Sequence, residues 1–234
     1  MELNRGPWKD RQEAGRELGK AVRATITGAI DPASGPPPPP DRTQVPLVLG
    51  LPRGGVVVAA EVADVTGGEL DVLVVRKAGV PWHRELAIGA VTASGIRVEN
   101  PEVVERAGLR DEDLDAAFRD AEQEARVREQ DLREGRAAPH VADRTIIVVD
   151  DGVATGATAL AAAQLLKQTR PAPERVVLAV PVAPPDTARR LADHVDDLVV
   201  LAQPELFAAV GEWFVDFRQV SDDHVRALLA GHRQ

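Results

Sequence analysis

The sequence predicts an α/β fold: an open, mainly parallel sheet flanked by helices, with a small hairpin cover and a C-terminal aromatic segment. Three observations predict it. Short aliphatic runs recur at 46–50, 71–75, 146–149, 175–182 and 198–201, without the polar alternation of a half-solvated strand. Most are separated by stretches of helical spacing, the alternation that builds a parallel sheet. Two of the runs, 46–50 and 146–149, pass directly into turns of small residues that open helices.

The chain begins with an amphipathic helix over 8–26, where Ala14, Leu18, Ala21 and Val22 share one face. Residues 31–44, with five prolines from Pro36 to Pro40, suit neither helix nor central strand and read as a flexible connector. The strand at 46–50 then enters Leu51-Pro52-Arg53-Gly54-Gly55 and a helix over 56–65. Two glycines permit close backbone approach, and one guanidinium offers bidentate contact to an anion. The strand at 71–75 would deliver Arg76 and Lys77 at its carboxyl end, where open α/β sheets bind ligands.

Residues 78–86 read as a polar loop, and 87–93 with 96–99 as a hairpin about Ser94-Gly95, together a mobile cover. Trp82, His83, Arg84 and Glu85 are its reactive-looking members, although such loops are commonly only surface. A long charged helix follows at 111–134. Its charge run suits a solvated face with Glu122/Arg126 and Glu124/Arg128 pairs. Its narrow stripe of Leu114, Phe118, Ala121, Ala125 and Leu132 suits either the core or a homodimer contact.

The run Ile146 to Val149 suits a strand buried on both faces, and it ends on Asp150 and Asp151. Gly152, Ala154, Gly156 and Ala157 keep the next turn small, Thr155 and Thr158 add hydroxyls, and an Ala/Leu helix begins. Such a turn aims backbone N–H groups and the positive helix end at one place, where a phosphate can approach. The carboxylates beside it can accept from sugar hydroxyls or from Mg²⁺-bound water. Strands at 175–182 and 198–201, with a helix at 186–193 between them, extend the sheet. Residues 203–234 form a hood-like segment and a final helix. The hood holds Phe207, Trp213, Phe214 and Phe217, suited to packing or to stacking on a flat base.

With 234 residues the chain has length for one large domain over 1–234. A net charge of −9 argues against a nucleic-acid or acidic-membrane footprint, so any anion site must be local. Cysteine is absent, which excludes disulfides, thiolate metal sites and a catalytic thiol, and the five histidines are scattered. No apolar leader or membrane-length run is present, and the expected location is cytoplasmic.

The order of apolar strand, Asp-Asp, spacer, Thr-Gly-Ala-Thr and helix resembles the 5-phosphoribosyl-1-pyrophosphate (PRPP) signature of type I phosphoribosyltransferases. It lacks the Gly-Lys-Ser/Thr ending of a Walker A loop. The phrases GLPRGGVVVAAEVA, LDVLVVRK, ELAIGAV, VVDDGVATGAT, VPVAPPD and VGEWFVDFRQVSD are similar, in the same order, to the group of bacterial predicted phosphoribosyltransferases. The resemblance implies transfer of phosphoribose from PRPP, with Mg²⁺, to a small nitrogenous, nucleobase-like acceptor. It also implies binding of a nucleoside monophosphate. A catalytically weak PRPP- or nucleotide-sensing regulator of the same fold is the alternative.

Carried onto this chain, the resemblance implies that Asp150 and Asp151 hold the ribose hydroxyls and, through these or water, the Mg²⁺. Ala154, Thr155, Gly156, Ala157 and Thr158 would bind the 5-phosphate. Arg53 and Gly54 would bind pyrophosphate, assisted by Arg76 and Lys77, with a cis Pro52–Arg53 bond. Where hypoxanthine-guanine enzymes carry a purine-assisting Asp, this chain has Ala154, which disfavours a 6-oxopurine acceptor. The general base must then come from elsewhere, and Glu85 in the cover is the candidate.

Overall fold

The computed structural model describes residues 7–28 and 45–232; the side chains of residues 84 and 85 lie outside the description. The Pro-rich connector expected at 31–44 also lies outside it. Helix α1 (Arg11–Thr27) is started by Asp10, whose carboxylate accepts from Glu13 N at 2.9 Å. Then follow β1 (Leu47–Gly50), α2 (Gly54–Thr66) and β2 (Glu69–Val72). Later in the chain come β6 (Thr145–Val149), α5 (Ala157–Gln168), β7 (Arg175–Val182), α6 (Pro185–Ala192) and β8 (Asp197–Ala202). These five strands form one sheet in the order β2-β1-β6-β7-β8, and every pairing is parallel.

Strand alternation divides the core into two layers. Val48, Ile147 and Val177 point to the side where α1, α2 and α7 (Asp222–Gly231) contribute Leu18, Val58 and Leu229. Leu49, Val148 and Leu178 point to the other, against Ala162 and Leu166 of α5 and Leu191 of α6. Because both faces are covered, β1 and β6 need no polar positions, which is why their runs are unbroken.

Between β2 and β6 stands the second sheet: β3 (Val75–Val80), β4 (His83–Thr92) and β5 (Arg97–Glu99), antiparallel in that order. Helices α3 (Pro101–Ala107) and α4 (Asp111–Arg133) follow it. The cover is larger than the expected hairpin, and the strand expected at 71–75 is split. Leu73 N–H still donates to Gly50 O at 3.1 Å, the last link to the parallel sheet. Val75 already pairs with Thr92 in the cover. Arg76 and Lys77 therefore belong to the cover sheet and not to the exit of a parallel strand. Helix α3, capped by Asn100, was not expected from the sequence.

The α4 stripe is spent within the chain. Phe118 and Ala121 pack with Ile88 and Val91 of the cover, while Ala125 and Leu132 join the main core, so the stripe offers no dimer contact. Arg126 pairs with Glu122 as expected, but Arg128 turns from Glu124 to Asp222. The aromatic tail packs as a satellite core: Trp8 lies 5.7 Å from Phe214, which stacks 5.0 Å from Phe217. Trp8 N–H donates to Trp213 O at 2.9 Å, tying the first residues to the last segment.

Candidate functional site

The parallel register sets Gly50 beside Val149, so the turns after β1 and β6 leave the sheet at one level. Leu51 N–H donates to Val149 O at 2.9 Å across that gap. The glycines of the first turn serve this contact as well as any ligand. A Cβ on Gly54 would overlap Asp151 Oδ2, and one on Gly55 would stand 2.7 Å from Val149 O and 2.9 Å from Asp150 Cα. A side chain at Gly54 would displace the Asp151 carboxylate, and one at Gly55 would push the two turns apart. The Pro52–Arg53 peptide bond is cis.

The two neighbouring carboxylates differ. Asp151 Oδ2 accepts from Arg11 Nε at 2.7 Å. Arg11 is buried: its guanidinium lies 3.8 Å over the Phe217 ring, and its Nη1 donates to Arg218 O at 3.0 Å. Asp150 Oδ1 accepts from Asp151 N–H at 2.9 Å. Burial, then the charge of Asp151, pushes the Asp150 carboxyl well above the usual carboxylate range. Arg11 was not among the residues singled out from sequence. The signal was present, since Arg11 falls on the same helical face as Ala14, Leu18 and Val22. A charge on an apolar stripe needs a buried partner.

In the second turn Ala154, Thr155, Ala157 and Thr158 are exposed, while buried Gly156 takes φ 71° at the cap of α5. Helix α6 engages the carbonyls: Thr187 Oγ1 donates to Ala154 O at 2.8 Å and Arg190 Nη2 to Thr155 O at 2.9 Å. The first N–H groups of α5 lack intrahelical acceptors, as at any helix start, and the open side chains beside them leave room for an anion.

A cleft of about 300 Å³ joins the two turns to the cover, lined among others by Pro52, Arg53, Val75, Arg76, Arg128 and Thr158. Arg76 Nε is buried without a hydrogen-bond partner among the described residues. Such an orphaned donor costs about 1–3 kcal/mol unless a ligand supplies an acceptor. Lys77 is exposed and does not line the cleft. The two adjacent cations of the sequence are thus not a pair in space. Glu85 lies on β4, and its side chain is outside the described residues. A second cleft, of about 410 Å³, opens beyond Arg11, between Gln12, Val57, Arg218 and His224.

Among the described residues no group of three or more His, Cys, Asp or Glu could cage a metal ion. The Asp150–Asp151 pair fits the weaker demand of Mg²⁺, which keeps most of its waters and binds through one or two carboxylates and ligand oxygens. No helix among the described residues is long and apolar enough to cross a membrane.

A model of the phosphoribosyl transferase domain matches residues 39–210, well over half of the chain. The chain is 43% identical over 220 residues to a Mycobacterium tuberculosis protein named "Putative phosphoribosyl transferase Rv0571c". The match covers 94% of this chain and 46% of that protein, so the chain spans about half the length of the curated relatives it matches. The crystal structure of TT1426 from Thermus thermophilus superposes with a TM-score of 0.80 at 38% identity, covering 97% of this chain and all of the other.

Proposed function

Because the chain belongs to the phosphoribosyl transferase domain family, we propose that it transfers phosphoribose from PRPP to a small nitrogenous acceptor and releases pyrophosphate. One observation carries this reading: an acidic pair abuts the Gly54-Gly55 turn, and a cleft lined by arginines joins that turn to Thr158 of an open anion cradle. PRPP carries a phosphate, a diol and a pyrophosphate in that order.

In this reading the 5-phosphate lies on the 154–158 turn, held by the N–H groups at the start of α5 and the hydroxyls of Thr155 and Thr158. Asp150 and Asp151 accept from the two ribose hydroxyls. Arg11 holds and aims Asp151 through its 2.7 Å ion pair, and the diol offers Asp150 donors beyond the one backbone N–H it already accepts from. Arg53 and Arg76 bind the pyrophosphate, and Arg76 Nε gains its missing acceptor. Asp150 and Asp151 would hold Mg²⁺ through water or ribose hydroxyls, and the ion would supply charge neutralisation for the pyrophosphate. The bond from the anomeric carbon to pyrophosphate breaks with that electron pair on the leaving oxygen. The acceptor nitrogen supplies the new pair, and a base, for which Glu85 is the candidate, takes its proton. Ala154 withholds the carboxylate that would assist a 6-oxopurine, so acceptors other than 6-oxopurines are favoured.

The test is pyrophosphate release from PRPP and Mg²⁺ across a panel of nucleobases and related amines, against a control without acceptor. Acceptor-dependent release is expected. PRPP binding by calorimetry with no release from any acceptor would favour the nucleotide-sensing regulator instead.

A further inference from the structure

Helix α4 is charged over most of its surface, yet Arg128 leaves the solvent and lines the cleft with Arg53 and Arg76. A buried anchor less than two turns further along sets its place. Arg133 Nε donates to both oxygens of Asp71 at 3.0 and 3.1 Å, its Nη2 donates to Val72 O at 3.0 Å, and its Nη1 donates to Glu129 at 2.6 Å. Asp71 and Arg133 are both buried. The end of β2 is thereby locked to α4, and Arg128 is held beside the segment that forms the cleft wall at Leu73 to Val75.

Asp222, the first residue of α7, does not line the cleft. From outside the lining it accepts from Arg128 Nη1 at 2.6 Å and Nη2 at 2.5 Å, and it lies 3.8 Å from Arg53 Nη1. One carboxylate thus holds two guanidinium groups side by side. The fork to Asp222 takes two of the five N–H donors of Arg128, leaving about three for a ligand. Arg76 reaches the same cleft from β3 with its buried Nε unmatched. Three guanidinium groups against Asp222 and Asp131, the latter 3.7 Å from Arg128 Nη1, still leave a local positive surplus in a chain of net charge −9.

The structure assigns Arg128 as a further binding residue for the pyrophosphate group, with Asp222 as the carboxylate that positions it. The assignment rests on the phosphoribosyl-transfer reading above. Arg128 acts at the Arg53 end of the cleft, since both arginines share Asp222. Its contribution therefore falls on the pyrophosphate and not on the 5-phosphate.

Calorimetry on the full chain with PRPP and Mg²⁺, magnesium pyrophosphate and ribose 5-phosphate tests it. Arg128→Ala is expected to weaken PRPP and pyrophosphate by about tenfold or more, the loss of one charge-assisted hydrogen bond, and ribose 5-phosphate by less than about threefold. Asp222→Asn loosens the fork that aims Arg128 but leaves the guanidinium in the cleft, so it should weaken pyrophosphate by a smaller factor, about two- to threefold. If Arg128→Ala does not fold, Arg128→Lys carries the test: it keeps a charge without the fork and should still lose about threefold or more. Unchanged pyrophosphate affinity in the arginine variant, equal losses for PRPP and ribose 5-phosphate, or an equal loss in Asp222→Asn would reduce Arg128 to a tether and overturn the assignment alone. A native chain that binds neither PRPP nor pyrophosphate would overturn the phosphoribosyl reading with it.

Discussion

The acidic pair and the arginine cleft are each steadied by one opposite charge from an end of the described chain. Arg11, in the first turn of α1, meets Asp151; Asp222, in the first turn of α7, meets Arg128. The contacts look alike but their surroundings differ. The side chains of Arg11 and Asp151 are 10% and 16% exposed, those of Arg128 and Asp222 are 23% and 32%. In the drier pair, loss of one partner strands a charge that little water reaches. In the wetter pair, solvent screens much of the interaction. Similar ion pairs thus differ in what they cost to break: the first also ties α1 to the turn after β6, while the second is loosely held beside the cleft.

The largest effect that would break this contrast is on stability. Arg11→Ala should cost about 3 kcal/mol, the magnitude for a buried pair deprived of one partner, and a denaturant titration would read it. A loss under about 1 kcal/mol would place Asp151 in the same class as the exposed pairs. Next comes the cover strand. Arg76→Ala should weaken magnesium pyrophosphate by about 1.5–3 kcal/mol, whereas Lys77→Ala should change it by less than about 0.5 kcal/mol, because Arg76 lines the cleft and Lys77 does not. Equal losses by calorimetry would mean that the strand faces rearrange around the ligand.

A pH experiment sharpens the difference between the two neighbouring aspartates. The folded pKa of Asp150 lies above its unfolded value, so its contribution to stability is complete below the ordinary carboxylate range. That contribution is lost as pH rises through the raised folded value. Asp150→Asn keeps an acceptor for Asp151 N–H and removes the desolvated charge. It should therefore stabilise the unliganded protein by about 0.5–2 kcal/mol near neutral pH, with the gain vanishing near pH 3, while PRPP binding falls. A destabilised variant at neutral pH would show that the ionised carboxylate is held better than its surroundings indicate. The smallest effect concerns the outer pair: a double-mutant cycle between Arg128→Ala and Asp222→Asn should give a coupling of about 0.2–1 kcal/mol in the unliganded chain, reduced by salt.

What the sequence determined by itself is everything that depends on neighbours along the chain. The unbroken run before Asp150, the Gly-Gly turn after Gly50 and the aliphatic strands at 175–182 each encode a local conformation, and the parallel sheet follows from their order. The aromatic tail was legible as a packing unit for the same reason, and the stripe of α4 as a buried face, though not which surface would bury it. Tertiary structure alone decided the partnerships. Arg11 and Asp151 are 140 residues apart, Arg128 and Asp222 are 94 apart, and neither distance leaves a trace in periodicity. A helical pattern tells which residues share a face, not what that face will meet, so Arg128 read as a partner of Glu124 until α7 came down beside it. Strand pairing likewise separated Arg76 from Lys77 by making them members of the cover sheet, where Arg76 lines the cleft and Lys77 does not.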